Sequence, residues 1–304
     1  MKTTTLFCLL LLTVSFSYGQ YKEYPLYPNG LKDNPVKYDE PESYVDSMVA
    51  PGSLSGKNRV YSFVSEPSYM LFPANESVNK HIGLVIAPGG GLRNVWLDKE
   101  GIDLAMWLSQ KGISCMVLKY RVNHRDEKGK WELDRGMYDS EVEKDAKQAM
   151  LTMRSLADSL NFEANKVGMI GFSAGGWLVE RITVKKMEKY HDSKPDWMPN
   201  FAGLIYYGND PKLVKKEDEI KNLPPMFMVI ARNDEKIPVG KIMPYLTTIL
   251  LTVDKSELHV YNSGRHGFGL ADNKGNSVAL WKDSFYNWML DVTKAHPSPP
   301  QGRE

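Results

Sequence analysis

The residues Gly171-Phe172-Ser173-Ala174-Gly175 place a serine between two glycines, with the apolar run Val167–Ile170 before it and a helical pattern after it. Strand, sharp turn and helix are the context of a nucleophile elbow. The serine must sit on a strained turn, and side chains at Gly171 or Gly175 would collide with the neighbouring strand and helix. Its hydroxyl then projects above the sheet edge, where the following helix offers unpaired N–H groups to a developing anion. The motif alone is weak, because the same pattern arises by chance in glycine-containing loops.

A serine hydroxyl is a poor nucleophile near neutral pH and needs a base. His266 follows the strand-like Leu258–Tyr261 and is flanked by Gly264 and Gly267. It can take the proton of Ser173 and return it to a leaving group. Asp234 ends another strand-like run and can hold the imidazole tautomer while stabilising the imidazolium. For the oxyanion, Ala174 supplies one backbone N–H. Gly90 and Gly91, in the loop Pro88-Gly89-Gly90-Gly91, can supply others. Nucleophile, acid and base thus occur in the chain order of one triad architecture. The rivals are weaker: His259 lies within an alternating strand, His296 in a proline-rich tail, and His81, His124 and His191 lack such a setting. Asp210, after Ala202–Tyr206, remains a second candidate acid.

These groups need a scaffold that brings strand ends together. Apolar runs at Ile82–Ala87, Ser114–Leu118, Val167–Ile170, Ala202–Tyr206, Met226–Ile230 and Leu258–Tyr261 read as strands. Arg59–Val64 and Tyr69–Phe72 read as further strands. Helical stripes follow Ile102–Ser109, Val142–Ala157, the elbow, Val239–Val253 and Ala279–Leu290. Trp281, Phe285 and Trp288 on the last helix read as core. Strands alternating with helices predict a mostly parallel sheet covered on both faces, with the chemistry at the C-terminal ends of the strands. Residues 20–58 read as an irregular surface leader. Lys119–Asp139 reads as a polar loop beside the site.

Composition narrows the function classes. The 304 residues carry 38 basic and 37 acidic side chains, so no electrostatic footprint for nucleic acid is present. Met1-Lys2, the apolar Leu6–Phe16 and Ser17-Tyr18-Gly19 have the layout of a signal peptide over residues 1–19, too short to span a bilayer. The expected product is exported, periplasmic or extracellular, with residues 20–304 as one domain. Beyond Cys8 in that segment, Cys115 is the sole cysteine, so no internal disulfide is expected. No cofactor or metal is implied, as neither a Cys/His cluster nor a dinucleotide fingerprint occurs. The Pro-Gly-Gly-Gly loop is not followed by Gly-Lys-Ser/Thr, which excludes a phosphate loop.

The chain resembles exported bacterial esterases of the α/β-hydrolase superfamily, in particular the carbohydrate-esterase-like group of acetyl xylan and feruloyl esterases. The likeness rests on Pro88-Gly89-Gly90-Gly91, Asp98-Lys99-Glu100-Gly101, Leu118-Lys119-Tyr120-Arg121, Asp145-Ala146, the elbow through Gly176, Arg232-Asn233-Asp234 and His266-Gly267-Phe268-Gly269. It implies an α/β-hydrolase fold, a mostly parallel central sheet with helices on both faces. The implied activity is a serine esterase that removes acetyl or feruloyl groups from xylan or related oligosaccharides. Two departures stand out: Trp177 replaces the usual His after the glycine pair, and a charged segment, Asn123–Glu132, replaces a proline-rich one. Both are expected near the substrate pocket, with a core position as the equal alternative for Trp177. Trp96, Tyr120, Trp131 and Tyr207 are aromatics that could stack on a sugar or equally be structural. Cys115 lies in an apolar run, which disfavours a cysteine mechanism of the dienelactone hydrolase kind. The competing readings are a prolyl-oligopeptidase-like peptidase, which lacks its propeller repeats here, and a non-catalytic carbohydrate-binding homologue.

Overall fold

The structure, a computed structural model, describes residues 21–50, 52–184, 195–208, 220, 222–272, 275 and 277–294. The segment 1–19 and the candidates Asp210, His191 and His296 lie outside the described residues. Eight described strands form one sheet. Its order is β1 (Glu23–Pro25), β4 (Ser68–Phe72), β7 (Ile113–Lys119), β5 (Ile82–Ala87), β8 (Val167–Phe172), β9 (Ala202–Ile205), β10 (Met226–Ala231) and β11 (Glu257–Tyr261). From β7 to β11 every pairing is parallel, while β4 and β1 add an antiparallel edge. A small antiparallel sheet of β2 (Ser43–Asp46), β3 (Arg59–Ser62) and β6 (Asn94–Trp96) stands apart from it.

Every residue of β5, β7, β8 and β10 is buried. Continuous apolar strands of this kind need cover on both faces. Five helices belong to the described chain: α1 (Asp103–Gln110), α2 (Arg135–Ser155), α3 (Ala174–Thr183), α4 (Val239–Thr252) and α5 (Trp281–Val292). Adjacent residues of β8 reveal the two layers, because successive side chains point to opposite faces. At Gly171 the backbone of α3 is so close that a Cβ would lie 2.2 Å from the Gly175 carbonyl. Phe172 instead packs against Trp281 of α5, at 5.8 Å between ring centroids. Around α3 lie α2, in contact with it, and α4, whose Tyr245 hydroxyl bonds Glu180. Beside α5 lies α1, through Trp107 and Tyr286. Trp281, Phe285 and Trp288 are core residues, as their spacing suggests.

Two sequence expectations need correction. The leader is not wholly irregular, since Glu23–Pro25 pairs with β4 and Ser43–Asp46 with β3. Both strands are short, and β2 is exposed along its length, so neither leaves an apolar period. The polar stretch 119–139 is only in part a loop. Lys119 ends β7, Arg121 and Asn123 are buried, and α2 begins at Arg135 after Asp134, whose carboxylate accepts the Met137 N–H at 2.8 Å. An Asp at the N-cap satisfies a helix donor that would otherwise be orphaned.

β5 has β7 on one side and β8 on the other, so the connections out of β5 and β8 diverge above one point of the sheet. Ala87 pairs with Gly171, which sets the glycine loop after β5 beside the serine turn after β8. Such switch points are where open α/β sheets form crevices.

Candidate active site

Ser173 sits at φ 50°, ψ −112°, a conformation that L residues rarely adopt. The turn survives because packing leaves no alternative. A Cβ at Gly175 would lie 2.0 Å from the Ala87 carbonyl, so β5, β8 and α3 approach as closely as backbones can. The Ser173 N–H donates to the Ile205 carbonyl at 2.9 Å, which pins the turn to β9. Strain held at a half-buried turn of this kind is characteristic of functional sites.

The loops after β10 and β11 bring two groups to this serine. His266 Nε2 lies 2.9 Å from Ser173 Oγ, and His266 Nδ1 lies 2.8 Å from Asp234 Oδ2. The other Asp234 oxygen, Oδ1, accepts the N–H groups of Lys236 and Ile237, both at 2.8 Å. Burial acts to raise the Asp234 pKa, but the bonds from His266 and the two amides outweigh it and hold the carboxyl below its ordinary value. Asn233 supplies the splint between the loops: its Oδ1 accepts from both the Gly264 and Arg265 amides at 2.9 Å. From the sheet side, Tyr206 meets the His266 ring edge-on at 5.1 Å. Trp281 Nε1 donates to the Gly269 carbonyl at 2.9 Å, so a core helix anchors the far end of the histidine loop.

The glycine loop carries the third part of the site. Gly90 has φ 143°, and a Cβ there would lie 1.8 Å from the Asn94 carbonyl, so no other residue fits. Loop hydrogen bonds use the Gly89 and Gly90 carbonyls, which accept from Trp96, Arg93 and Asn94. Among the described residues, the amides of Gly90, Gly91 and Ala174 donate to no protein group. The Gly89 amide is occupied: it donates to Glu100 Oε2 at 2.8 Å, while Glu100 Oε1 accepts from the Tyr206 hydroxyl at 2.8 Å. Burial raises the Glu100 pKa, against the opposing pull of Lys99, Tyr206 and the Gly89 amide.

These groups line a cleft of about 420 Å³. Ser173, His266, Gly90, Gly91 and Glu100 are on its walls, with Trp96 and Asn94 contributed by β6 of the small sheet. Ala174, directly after Ser173, opens α3.

The serine, histidine and Asp234 singled out by residue type are therefore in one hydrogen-bonded chain, beside the predicted glycine pair. Other expectations fare differently. Of the four candidate sugar-stacking aromatics, Trp96 lines the cleft. Tyr120 and Tyr207 are buried, and Trp131 lies under the Arg125 guanidinium at 3.9 Å. Trp177 does not line this cleft; it packs on the core between Arg135 and Arg181, at 5.7 and 4.7 Å. The segment 123–132 does not line it either. Cys115 is fully buried in β7, where burial pushes its thiol pKa up, so it cannot serve as a nucleophile. Residue-type reasoning passed over Glu100, Asn233 and Tyr206 as site-building groups. The first two lie inside Asp98-Lys99-Glu100-Gly101 and Arg232-Asn233-Asp234, and an acid that close to a glycine loop was the available signal.

The chain is similar to several known proteins in sequence and fold. The curated acetylxylan esterase of Xylanibacter ruminicola is 28% identical over 257 residues, covering 75% of this chain and 48% of that protein. The chain thus spans about half the length of that relative. Among solved structures, an acetyl ester-xyloside bifunctional hydrolase from Caldicellulosiruptor lactoaceticus superposes with a TM-score of 0.60 at 22% identity, over 90% of this chain and 97% of that one. Esterase 2 of Thermogutta terrifontis gives 0.58 at 17% identity, over 77% and 92%. At these identities the two structures speak for the fold. The sequence profile of the dienelactone hydrolase family matches residues 117–294, a span holding Ser173, Asp234 and His266. By that match, over more than half its length, the chain belongs to the dienelactone hydrolase family of the α/β-hydrolase superfamily.

Proposed function

We propose that this chain is an exported serine esterase that deacylates plant polysaccharides or their oligosaccharides, with acetyl groups on xylan as the first substrate and feruloyl groups as the variant. The observation that carries the reading is the hydrogen-bonded chain from Ser173 through His266 to Asp234, opening on a cleft beside unfilled backbone amides. The name of the curated relative favours acetylated xylan. The apolar segment after Lys2 favours export, and residues 20–304 are proposed to act as one domain.

In this mechanism His266 Nε2 removes the Ser173 Oγ proton as the oxygen attacks the ester carbonyl. Asp234 stabilises the imidazolium, its carboxylate already favoured by three hydrogen bonds. The oxyanion accepts from the amides of Ala174 and of Gly90 or Gly91, for which no protein group competes among the described residues. His266 returns the proton to the departing sugar hydroxyl, leaving an acyl-serine. A water, deprotonated by His266, then adds to that acyl carbonyl. Collapse releases the acid and restores the Ser173 hydroxyl.

The test is hydrolysis of p-nitrophenyl acetate beside acetylated xylan by wild type and Ser173→Ala. Loss of at least about a thousandfold in the variant, with acetate released from xylan by the wild type, is the expected result. Turnover of the small ester alone would keep the mechanism and discard the substrate. No turnover of either by folded protein would overturn the reading.

A further inference from the structure

The charges lining the cleft are mostly of one sign, while the exposed Glu235, which accepts the His266 N–H and pairs with Arg265, lies beside it. Its lining includes Arg93, Lys99 and Lys236, and one acid, Glu100. That acid is committed inward, with one oxygen on the Gly89 amide and the other on the Tyr206 hydroxyl. The three cations come from separate places: Arg93 from the loop after β5, Lys99 from the turn before α1, and Lys236 from the loop after β10. Arg93 and Lys236 are exposed and make no ion pair among the described residues. The Lys99 ammonium lies 5.8 Å from the centre of the Trp96 ring. Across the whole chain basic and acidic residues almost cancel, 38 against 37, so this is a local excess and not a property of the surface at large.

A concave site lined by one sign of charge focuses its field and raises the local concentration of the opposite charge. We infer that the preferred substrate of this site carries a carboxylate on the sugar, as an acylated glycan bearing a uronic acid close to the scissile ester. The inference rests on the proposed esterase reading and adds the charge of the alcohol portion. Glycans commonly carry fixed negative charge as uronic acid carboxylates, and a carboxylate is the partner that guanidinium and ammonium groups recognise with charge-assisted hydrogen bonds. Trp96, beside Lys99 on the same wall, presents an apolar ring of the kind that packs on sugar faces. Neutral acetyl esters would still reach Ser173, but without that attraction.

The experiment compares kcat/KM for acetylated neutral xylotriose and for acetylated xylotriose carrying one glucuronic acid branch. It uses the full chain, at low and high salt, with wild type, Arg93→Gln, Lys236→Gln and the double variant. Both side chains are exposed and, among the described residues, make no ion pair, so the variants keep the fold; thermal melts check this. The expected result is a preference of roughly tenfold for the acidic substrate at low salt. It should shrink towards parity at high salt, as exposed charges are screened, and in the double variant. Equal rates on the two substrates, or a preference that survives the double substitution, would overturn the inference and leave the esterase reading intact. Hydrolysis of neither sugar ester and of no simple ester would remove both together.

Discussion

Two buried polar clusters in this molecule use similar groups for opposite ends. One is Arg121 with Asp145, the latter on the buried face of α2 and both fully buried. The Arg121 Nε and Nη2 donate to Asp145, Nη1 reaches Asn34 and Glu141, and Nη2 also donates to the Glu141 carbonyl. The Tyr27 hydroxyl donates to Asp145 from the far side. Every strong valence is closed. The other cluster is Ser173, His266 and Asp234, where Asp234 is equally well satisfied, but the chain of bonds ends at a hydroxyl on a cleft wall. Beside it stand amides with no protein partner among the described residues. Saturation makes a strut, and a deliberate shortfall at one end makes a reactive site.

Substitutions can pull these two roles apart. The largest effect is expected for Asp234→Asn, which retains an acceptor for the Lys236 and Ile237 amides but offers His266 the wrong tautomer. Ester turnover should fall about ten-thousandfold, with melting little changed, as steady-state kinetics and a thermal melt would report. Arg121→Met should do the reverse. Leaving Asp145 buried and unpaired costs about 3–5 kcal/mol, measurable by urea unfolding. Adding Asp145→Leu should recover most of that loss, and kcat of the folded fraction should stay near wild type. If Arg121→Met abolished kcat without destabilising the fold, the division of roles drawn here would fail.

Glu100 tests the boundary between the clusters, being buried like a strut yet set in the cleft wall. Removing it in Glu100→Ala strands the Gly89 amide and the Tyr206 hydroxyl, a loss of about 1–3 kcal/mol. Its folded pKa is raised above the ordinary 4.5 by burial. An acid raised on folding contributes stability that is complete below its unfolded pKa and is lost as pH rises through the folded one. The stability of wild type relative to Glu100→Gln should therefore fall from about pH 4.5 upwards. A flat difference across that range would show that Glu100 ionises without penalty. The smallest effect belongs to Trp177→Ala. Two cation–π contacts at a partly exposed site are worth about 1–2 kcal/mol together. Because the ring is off the cleft, kcat/KM for simple esters should stay within roughly twofold of wild type, about 0.4 kcal/mol.

The legible parts of this fold were those enforced locally. Gly171 and Gly175 are required by contacts within a few residues of the serine and with the next strand, so the elbow is visible as a spacing. The parallel strands appear as apolar runs because both faces are covered. The three-residue β1 has no such signature. It is a strand because the free edge of β4 accepts it, and it contains Pro25, tolerated at an edge. Trp177 was open between pocket and core for a related reason. The direction in which a helical side chain points depends on what packs there, here Arg135 and Arg181, and the core reading holds.

Residue type and order alone determined that a serine, an acid and a histidine would meet at the ends of parallel strands, because the chemistry tolerates few substitutes and each demands a characteristic local turn. Only the tertiary structure decided what surrounds them. Glu100 finds Tyr206 across 106 residues, Asn233 splints the histidine loop across 31, and Arg93, Lys99 and Lys236 converge from three loops on one cleft. Such partnerships leave no periodicity or spacing in the chain, since they come from the pairing order of the strands and not from any segment's own preference.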